Sequence, residues 1–156
     1  MRSSFTHKVY RRLELKHREL EARILTTLPL VSSGIEVAFG QQWAMFNSAK
    51  SLLPGAILFK TVNDIQATNM TQFKLTGHQV AATDEEVLIC TEDRCFAQAF
   101  GERAATNCDE FFAPNCVRKN AVESQHPSLV GKVTSLNSMK NRSTNRDHFY
   151  RGYTRV

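Results

Sequence analysis

The chain has 156 residues, and its 42% hydrophobic content suits a single globular domain. Its formal net charge is +5 at pH 7. The longest uncharged runs, residues 24–35 and 37–49, are shorter than the roughly 20 apolar residues that a membrane-spanning helix needs. We therefore expect no membrane span.

Acidic and basic side chains are segregated along the sequence. Residues 84–116 carry eight acidic and two basic side chains, whereas residues 117–156 carry eight basic and two acidic ones. The first 23 residues carry seven basic and three acidic side chains. Two basic ends around an acidic, cysteine-bearing middle predict binding to an acidic partner.

Two amphipathic helices are predicted in the N-terminal third. The first spans residues 6–28, because side chains recur at a 3-4-3-4 spacing at Tyr10, Leu13, His17, Leu20 and Ile24. Pro29 is expected to end it. Ser33 and Glu36 have the spacing of a capping box, which predicts a second helix that ends before Pro54. The short connection suits a helical hairpin.

From residue 56 onward the sequence predicts short strands. The candidate runs are AILFKTV at 56–62, MTQFKLT at 70–76 and EVLIC at 86–90. Their alternation of apolar and polar residues is imperfect, which favours a one-sided, mostly antiparallel sheet. A third helix is predicted over 92–105, and the segment FFAPNCV at 111–117 is expected to be irregular.

The predicted fold class is α+β, with the helical hairpin packed on this small sheet. The body covers residues 1–117 and includes the acidic segment 84–116. Residues 118–156 form a basic, polar C-terminal arm with too few hydrophobic side chains to fold alone.

The four cysteines are spaced C-x4-C-x12-C-x7-C, at Cys90, Cys95, Cys108 and Cys116. Zinc sites commonly use pairs two to four residues apart, and only the first pair has such a spacing. We interpret the cysteines as free buried thiols, with a zinc site or disulfides as alternatives. No phosphate loop, dinucleotide fingerprint or zinc-protease motif is present. The sequence therefore predicts no cofactor and no enzymatic activity.

The basic ends are the predicted partner-binding segments. The C-terminal arm interleaves cations with aromatic rings, a combination that neutralises phosphates and stacks on bases, or docks on acidic protein surfaces. The candidate residues are Arg11, Arg12, Arg142, Arg146, Phe149, Tyr150, Arg151, Tyr153 and Arg155. The last residues, 154–156, match the pattern that PDZ domains bind. Residues 143–149 also resemble segments of ciliary microtubule inner proteins, a resemblance over seven residues from which no function is carried over.

These observations predict a non-enzymatic structural subunit of a larger intracellular assembly, which binds other protein subunits. An RNA-binding protein of the ribosomal or ribonucleoprotein type is the alternative, and a redox protein that uses the cysteines is the third hypothesis. No apolar run follows the first basic residues, so a secretory signal is not expected. The expected location is cytoplasmic or cytoskeletal. A mitochondrial location is the alternative, because residues 1–12 carry four basic and no acidic side chains.

Overall fold

One six-stranded sheet, in which every neighbouring pair is parallel, forms the centre of the fold. The computed structural model describes residues 7–83, 90–91, 94–95 and 101–136. Its strands are β1 (Lys8–Leu13), β2 (Glu36–Gln41), β3 (Ala56–Phe59), β4 (Gln79–Thr83), β5 (Cys90–Thr91), β6 (Arg94–Cys95), β7 (Glu110–Ala113) and β8 (Val133–Ser135). Its helices are α1 (Lys16–Ser32), α2 (Gln42–Asn47), α3 (Asp64–Leu75), α4 (Glu102–Asn107) and α5 (Cys116–Gln125), with a 3-10 turn at Pro127–Leu129.

The large sheet has the strand order β2-β1-β3-β4-β7-β8, and β5 pairs with β6 in a separate antiparallel hairpin. The predicted α+β fold, with a helical hairpin on a mostly antiparallel sheet, is therefore wrong: the chain is α/β. Parallel strands are covered on both faces, so their sequences need not alternate between apolar and polar residues. The apolar run that forms β3 is of this kind, since Ala56, Ile57 and Phe59 are all buried.

The first predicted helix is wrong over its first half. Residues 8–13 form β1, which lies between β2 and β3, and the helix begins only at Lys16. The sequence predicts Tyr10 and Leu13 on one helical stripe, but residues three apart in a strand point to opposite faces. Six residues are too few for the apolar spacing to distinguish a helix from a strand. The helix α1 also continues through Pro29, the residue expected to end it.

The second predicted helix is mostly strand. Gly34 has a positive φ of 80° and lies just after α1, and β2 begins at Glu36. A glycine in this left-handed conformation is typical of the end of a helix. The residues that match a capping box therefore follow one helix and do not begin another. Only Gln42–Asn47, the short helix α2, is helical in the predicted range.

The segment 70–76, predicted as a strand, lies almost entirely in α3. Ala67, Met70 and Phe73 are buried at intervals of three residues, which places them on one helical face. Of the predicted helix 92–105, the part from Glu102 onward lies in α4, but Arg94 and Cys95 form the strand β6, and residues 92–93 and 96–100 lie outside the described residues. The predicted strand 86–90 also lies outside them, except for Cys90 in β5.

Residues 110–136, predicted as irregular structure followed by an arm, complete the fold. β7 is followed by Asn115, whose side chain accepts a hydrogen bond from the backbone N–H of Arg118 at 2.8 Å and caps α5. β8 then pairs with β7. The predicted boundary at residue 117 thus falls inside α5, and the sheet continues beyond it. Residues 137–156 lie outside the described part of the chain.

Two apolar cores lie on opposite faces of the sheet. The larger core includes Tyr10, Ile57 and residues of α2, α3, α4 and α5. The smaller one contains Val9, Leu30, Ile35 and Ala56. Since adjacent strand residues point to opposite faces, α1 packs on the face opposite the other four helices. Right-handed crossovers explain this arrangement. From β1 to β2 the chain moves toward one edge of the sheet, and from β2 onward it moves toward the other edge, so the connecting helices lie on opposite faces.

A candidate ligand site at the carboxyl edge of the sheet

The sheet changes its winding direction between β1 and β3. After β1 the chain enters α1 on one face, and after β3 it enters α3 on the other face. The connections therefore diverge at the carboxyl ends of two adjacent strands. In open α/β sheets this switch point is where ligands bind. A ligand site at this switch point would be formed by the residues that follow β1 and β3.

Lys60 directly follows β3 and meets two carboxylates there. Its Nζ atom lies 3.0 Å from Oε2 of Glu14, which follows β1, and 2.6 Å from Oε1 of Glu19 in the first turns of α1. Only 8% of Lys60 is exposed. The backbone N–H of Glu14 also donates to Oε2 of Glu19 at 3.1 Å. We call Glu14, Glu19 and Lys60 the switch-point triad.

The triad places one cation between two anions. Burial disfavours ionisation of Glu19, but the hydrogen bonds from Lys60 and from the Glu14 backbone outweigh it, so the pKa of Glu19 lies below its usual value. The side chain of Glu14 is 39% exposed, whereas those of Lys60 and Glu19 are about 10% exposed or less. One carboxylate is thus held inside and the other reaches solvent.

A second polar group lies on the other face of the same strands. The Nη1 atom of Arg12 donates to Oε1 of Gln42, and also to Oε1 of Gln66 at 3.3 Å. The guanidinium carbon lies 5.0 Å from the ring centroid of Phe59 and 5.8 Å from that of Phe46. This arginine connects β1 to the first turns of α2 and α3, and it stabilises the carboxyl edge on the face of the sheet opposite the triad.

The connection after β3 is held in place by its own hydrogen bonds. The side chain of Asn63 accepts from the backbone N–H of Gln66 at 3.0 Å and caps α3. The backbone N–H of Gly101 donates to the carbonyl of Val62 at 2.9 Å. Gly101 packs so closely that a Cβ atom there would lie 1.9 Å from Oδ1 of Asp64. These contacts hold the β3–α3 connection in one position beside the switch point.

No family model, curated protein or solved structure matches this chain. None of the helices in the described ranges combines the length and the hydropathy needed to cross a membrane.

The structure places the predicted partner-binding residues in two groups. Arg11 and Arg12 lie in β1 and are buried, where Arg12 makes the contacts described above. The seven residues of the arm lie outside the described part of the chain: Arg142, Arg146, Phe149, Tyr150, Arg151, Tyr153 and Arg155. That these residues bind a partner stays a prediction.

The cysteines are spread over three places. Cys108 precedes β7 and Cys116 follows it, so Cys108 lies at the amino edge of the sheet and Cys116 at the carboxyl edge. Burial raises the pKa of the Cys108 thiol to about 12, while Sγ of Cys116 lies 3.4 Å from Oγ of Ser135. Cys90 and Cys95 occupy opposite positions of the β5–β6 hairpin. In the described parts of the chain, no three His, Cys, Asp or Glu side chains are grouped to hold a metal ion. The zinc alternative stays untested.

Sequence reasoning missed the switch-point triad. The signal was present, since Lys60 interrupts the apolar run at 56–62 and Glu14 follows a short apolar-containing segment. In open α/β sheets the ligand sites lie outside the carboxyl ends of the strands, where such residues stand. Because the sequence predicts a helix over residues 8–13 and a mostly antiparallel sheet, it does not predict that edge.

Proposed function

We propose that this chain is a ligand-binding α/β domain whose site lies at the switch point between β1 and β3. The observation that supports it is the triad, in which a buried lysine is flanked by two glutamates at the place where doubly wound sheets bind ligands. Glu14 and Lys60 are the proposed contact residues. Glu19 holds Lys60 in position through the ion pair at 2.6 Å.

The proposed ligand is a small molecule that carries several hydroxyl groups. Carboxylates only accept hydrogen bonds and an ammonium group only donates them, whereas a hydroxyl group does both. One hydroxyl group can therefore bridge Glu14 and Lys60. The connection between β1 and α1, residues 14–15, contains no glycine. A dinucleotide is not the proposed ligand, because its pyrophosphate needs glycines for close backbone approach.

The test is an NMR titration of the ¹⁵N-labelled full chain with glucose, ribose and the common ribonucleosides as separate probes. Saturable amide shifts at residues 13–16 and 60–63 are expected for at least one probe. Glu14→Gln should weaken that binding at least about tenfold, since a charged acceptor is replaced by a neutral one. Glu36→Gln is the matched control, because Glu36 also forms an ion pair, with Lys8 at 2.7 Å, but at the amino edge.

Two results would contradict the proposal. One is that no probe shifts the amides around the triad at any concentration used. The other is that Glu14→Gln and Glu36→Gln weaken binding equally, which would place the ligand elsewhere or indicate a general effect on stability.

The structural subunit predicted from the sequence is a second candidate function. It is supported by α1, on which the large apolar side chains of Leu25, Leu28 and Val31 are more than half exposed. The RNA-binding alternative depends on the arm and stays a proposal. A pull-down that compares the full chain with one ending at Leu136, with and without nuclease, separates the two. The truncation is placed there because β8 ends at Ser135.

A further inference from the structure

The strand β2 lies at an edge of the six-stranded sheet, and no described strand pairs with the outer side of its backbone. Among the described residues β2 pairs only with β1. The backbone N–H of Glu36 donates to the carbonyl of His7 at 2.8 Å, toward β1. Alternate residues of a strand direct their N–H and C=O groups to the same side. The backbone groups of Val37, Phe39 and Gln41 therefore point away from the sheet.

This edge lacks the features that usually protect an edge strand from further pairing. Such features are prolines, bulges and several charged side chains. The six residues of β2, EVAFGQ, contain one charge, that of Glu36, and Lys8 of the same chain already neutralises it at 2.7 Å. Phe39 is 36% exposed and Gln41 is exposed. A regular, nearly uncharged edge of this length is suited to strand addition.

An apolar surface adjoins this edge. Phe39 lies on the same face of β2 as Val37, which packs in the smaller core with α1. On α1, Glu19 faces the end of β3, where it meets Lys60. At 100° per residue, the exposed side chains Ile24, Leu28 and Val31 lie on the flank opposite Glu19, which is the flank toward β2.

We propose that β2 pairs with β2 of a second copy of this chain, in antiparallel orientation, so that the two sheets become one. In such a pair, residues whose backbone groups point outward must lie opposite each other. The register that pairs all three of these residues, Val37, Phe39 and Gln41, places Phe39 opposite Phe39 on a two-fold axis. Val37 then lies opposite Gln41. The apolar flanks of the two α1 helices, at Ile24, Leu28 and Val31, cover the junction on the same face.

A second copy suits this edge as the partner because the pairing brings no like charges together. In this register Glu36 lies opposite Gln42 of the second copy, so no like charges meet along the edge. A two-fold axis also brings the aromatic rings of Phe39 together on the face that carries the apolar flank of α1. An unrelated strand added to β2 would have to supply both an uncharged edge and an apolar side chain at that position.

The test measures self-association of the full chain by sedimentation equilibrium between about 1 and about 100 µM, the range in which standard interfaces of modest affinity assemble. The wild type is expected to dimerise. Phe39→Lys should raise the dimer Kd at least about tenfold, because two cations would face each other across the axis. Gln41→Pro should do the same, since it removes an outward N–H at a residue whose φ of −62° already suits proline.

The matched control is Ile65→Lys, which introduces a lysine at an exposed apolar residue in the first turn of α3, on the other face of the sheet. Its dimer Kd should equal that of the wild type. Far-UV circular dichroism confirms that each variant is folded. A monomeric wild type throughout this range would overturn the proposal, and so would a dimer that neither Phe39→Lys nor Gln41→Pro weakens. If β2 instead pairs with a strand of another protein, the purified chain would stay monomeric, which is the first of these results.

Discussion

Replacing Lys60 with methionine tests whether the switch-point triad holds α1 on the sheet. The variant keeps most of the side-chain length but removes the ammonium group, so the buried carboxylate of Glu19 loses its partner at 2.6 Å. Removing one member of a buried ion pair typically costs about 3–5 kcal/mol. Glu14 is partly exposed and can turn to water, and Arg18 lies 3.6 Å from Glu19. We therefore expect a loss of about 3 kcal/mol at pH 7.

Urea unfolding followed by far-UV circular dichroism measures this loss. Lys74→Met is the matched control, because Lys74 pairs with Asp109 at a site where both side chains are more than one third exposed. Exposed pairs contribute about 1 kcal/mol or less. If Lys60→Met cost no more than Lys74→Met, the triad would not be an important attachment of α1.

The dependence on pH gives an independent test of the same reasoning. In the wild type the pKa of Glu19 is lower in the folded chain than its usual value of 4.5, so its ionisation contributes stability above that value and the contribution is lost as the pH falls. In Lys60→Met the hydrogen bond that lowers this pKa is absent. The difference in stability between wild type and variant should therefore shrink as the pH approaches 4. A difference that stays constant would contradict the assignment to Glu19, as would failure of Glu19→Gln to restore stability to Lys60→Met.

Two further predictions concern the larger core and the amino edge of the sheet. His78 is buried between the rings of Tyr10 and Phe73, and burial lowers its pKa below the usual 6.5. Its neutral form is thus favoured in the folded chain, so stability should fall by up to about 1.4 kcal/mol per pH unit below pH 6.5. His78→Phe should reduce that slope in urea unfolding, and an unchanged slope would contradict this reasoning. In Gly55→Ala the added Cβ would lie 2.7 Å from the carbonyl oxygen of Lys8 and 2.9 Å from Cε2 of Tyr10. Because the first contact is with the backbone of β1, a loss of about 1–3 kcal/mol is expected, and an unchanged urea midpoint would contradict the close approach.

Local signals were sufficient for some elements and not for others. The sequence predicted a strand from residue 56 and a helix around residues 16–28, because an apolar run and a 3-4 spacing remain readable in isolation. It could not separate β1 from a helix, since six residues of β1 contain three charges and too few apolar positions for a period. The burial of Arg12 depends on neighbours that are distant in sequence, such as Gln42 and Phe59.

The site depends even more on long-range pairing. Glu14 and Lys60 are 46 residues apart in the sequence, and they meet only because β1 and β3 are adjacent and parallel. Composition and spacing carry no information about that adjacency. Once the strand order is known, however, the change of winding direction between β1 and β3 identifies the switch point, and Glu14 and Lys60 directly follow these two strands.

The position of α1 explains why a buried ion pair is expected to matter in this fold. In the described part of the chain α1 packs on its face without another helix, and Leu30, near its end, contributes to the smaller core of four buried residues. A helix of 17 residues is about 25 Å long, and its residue in this core, Leu30, lies near its C-terminus, so this core packs against the C-terminal half of α1. Glu19 fastens the other half through Lys60. An apolar pair of similar volume often serves stability equally well or better. A lysine at this place therefore adds something that an apolar residue would not, which is a charge beside the partly exposed carboxylate of Glu14 at the switch point.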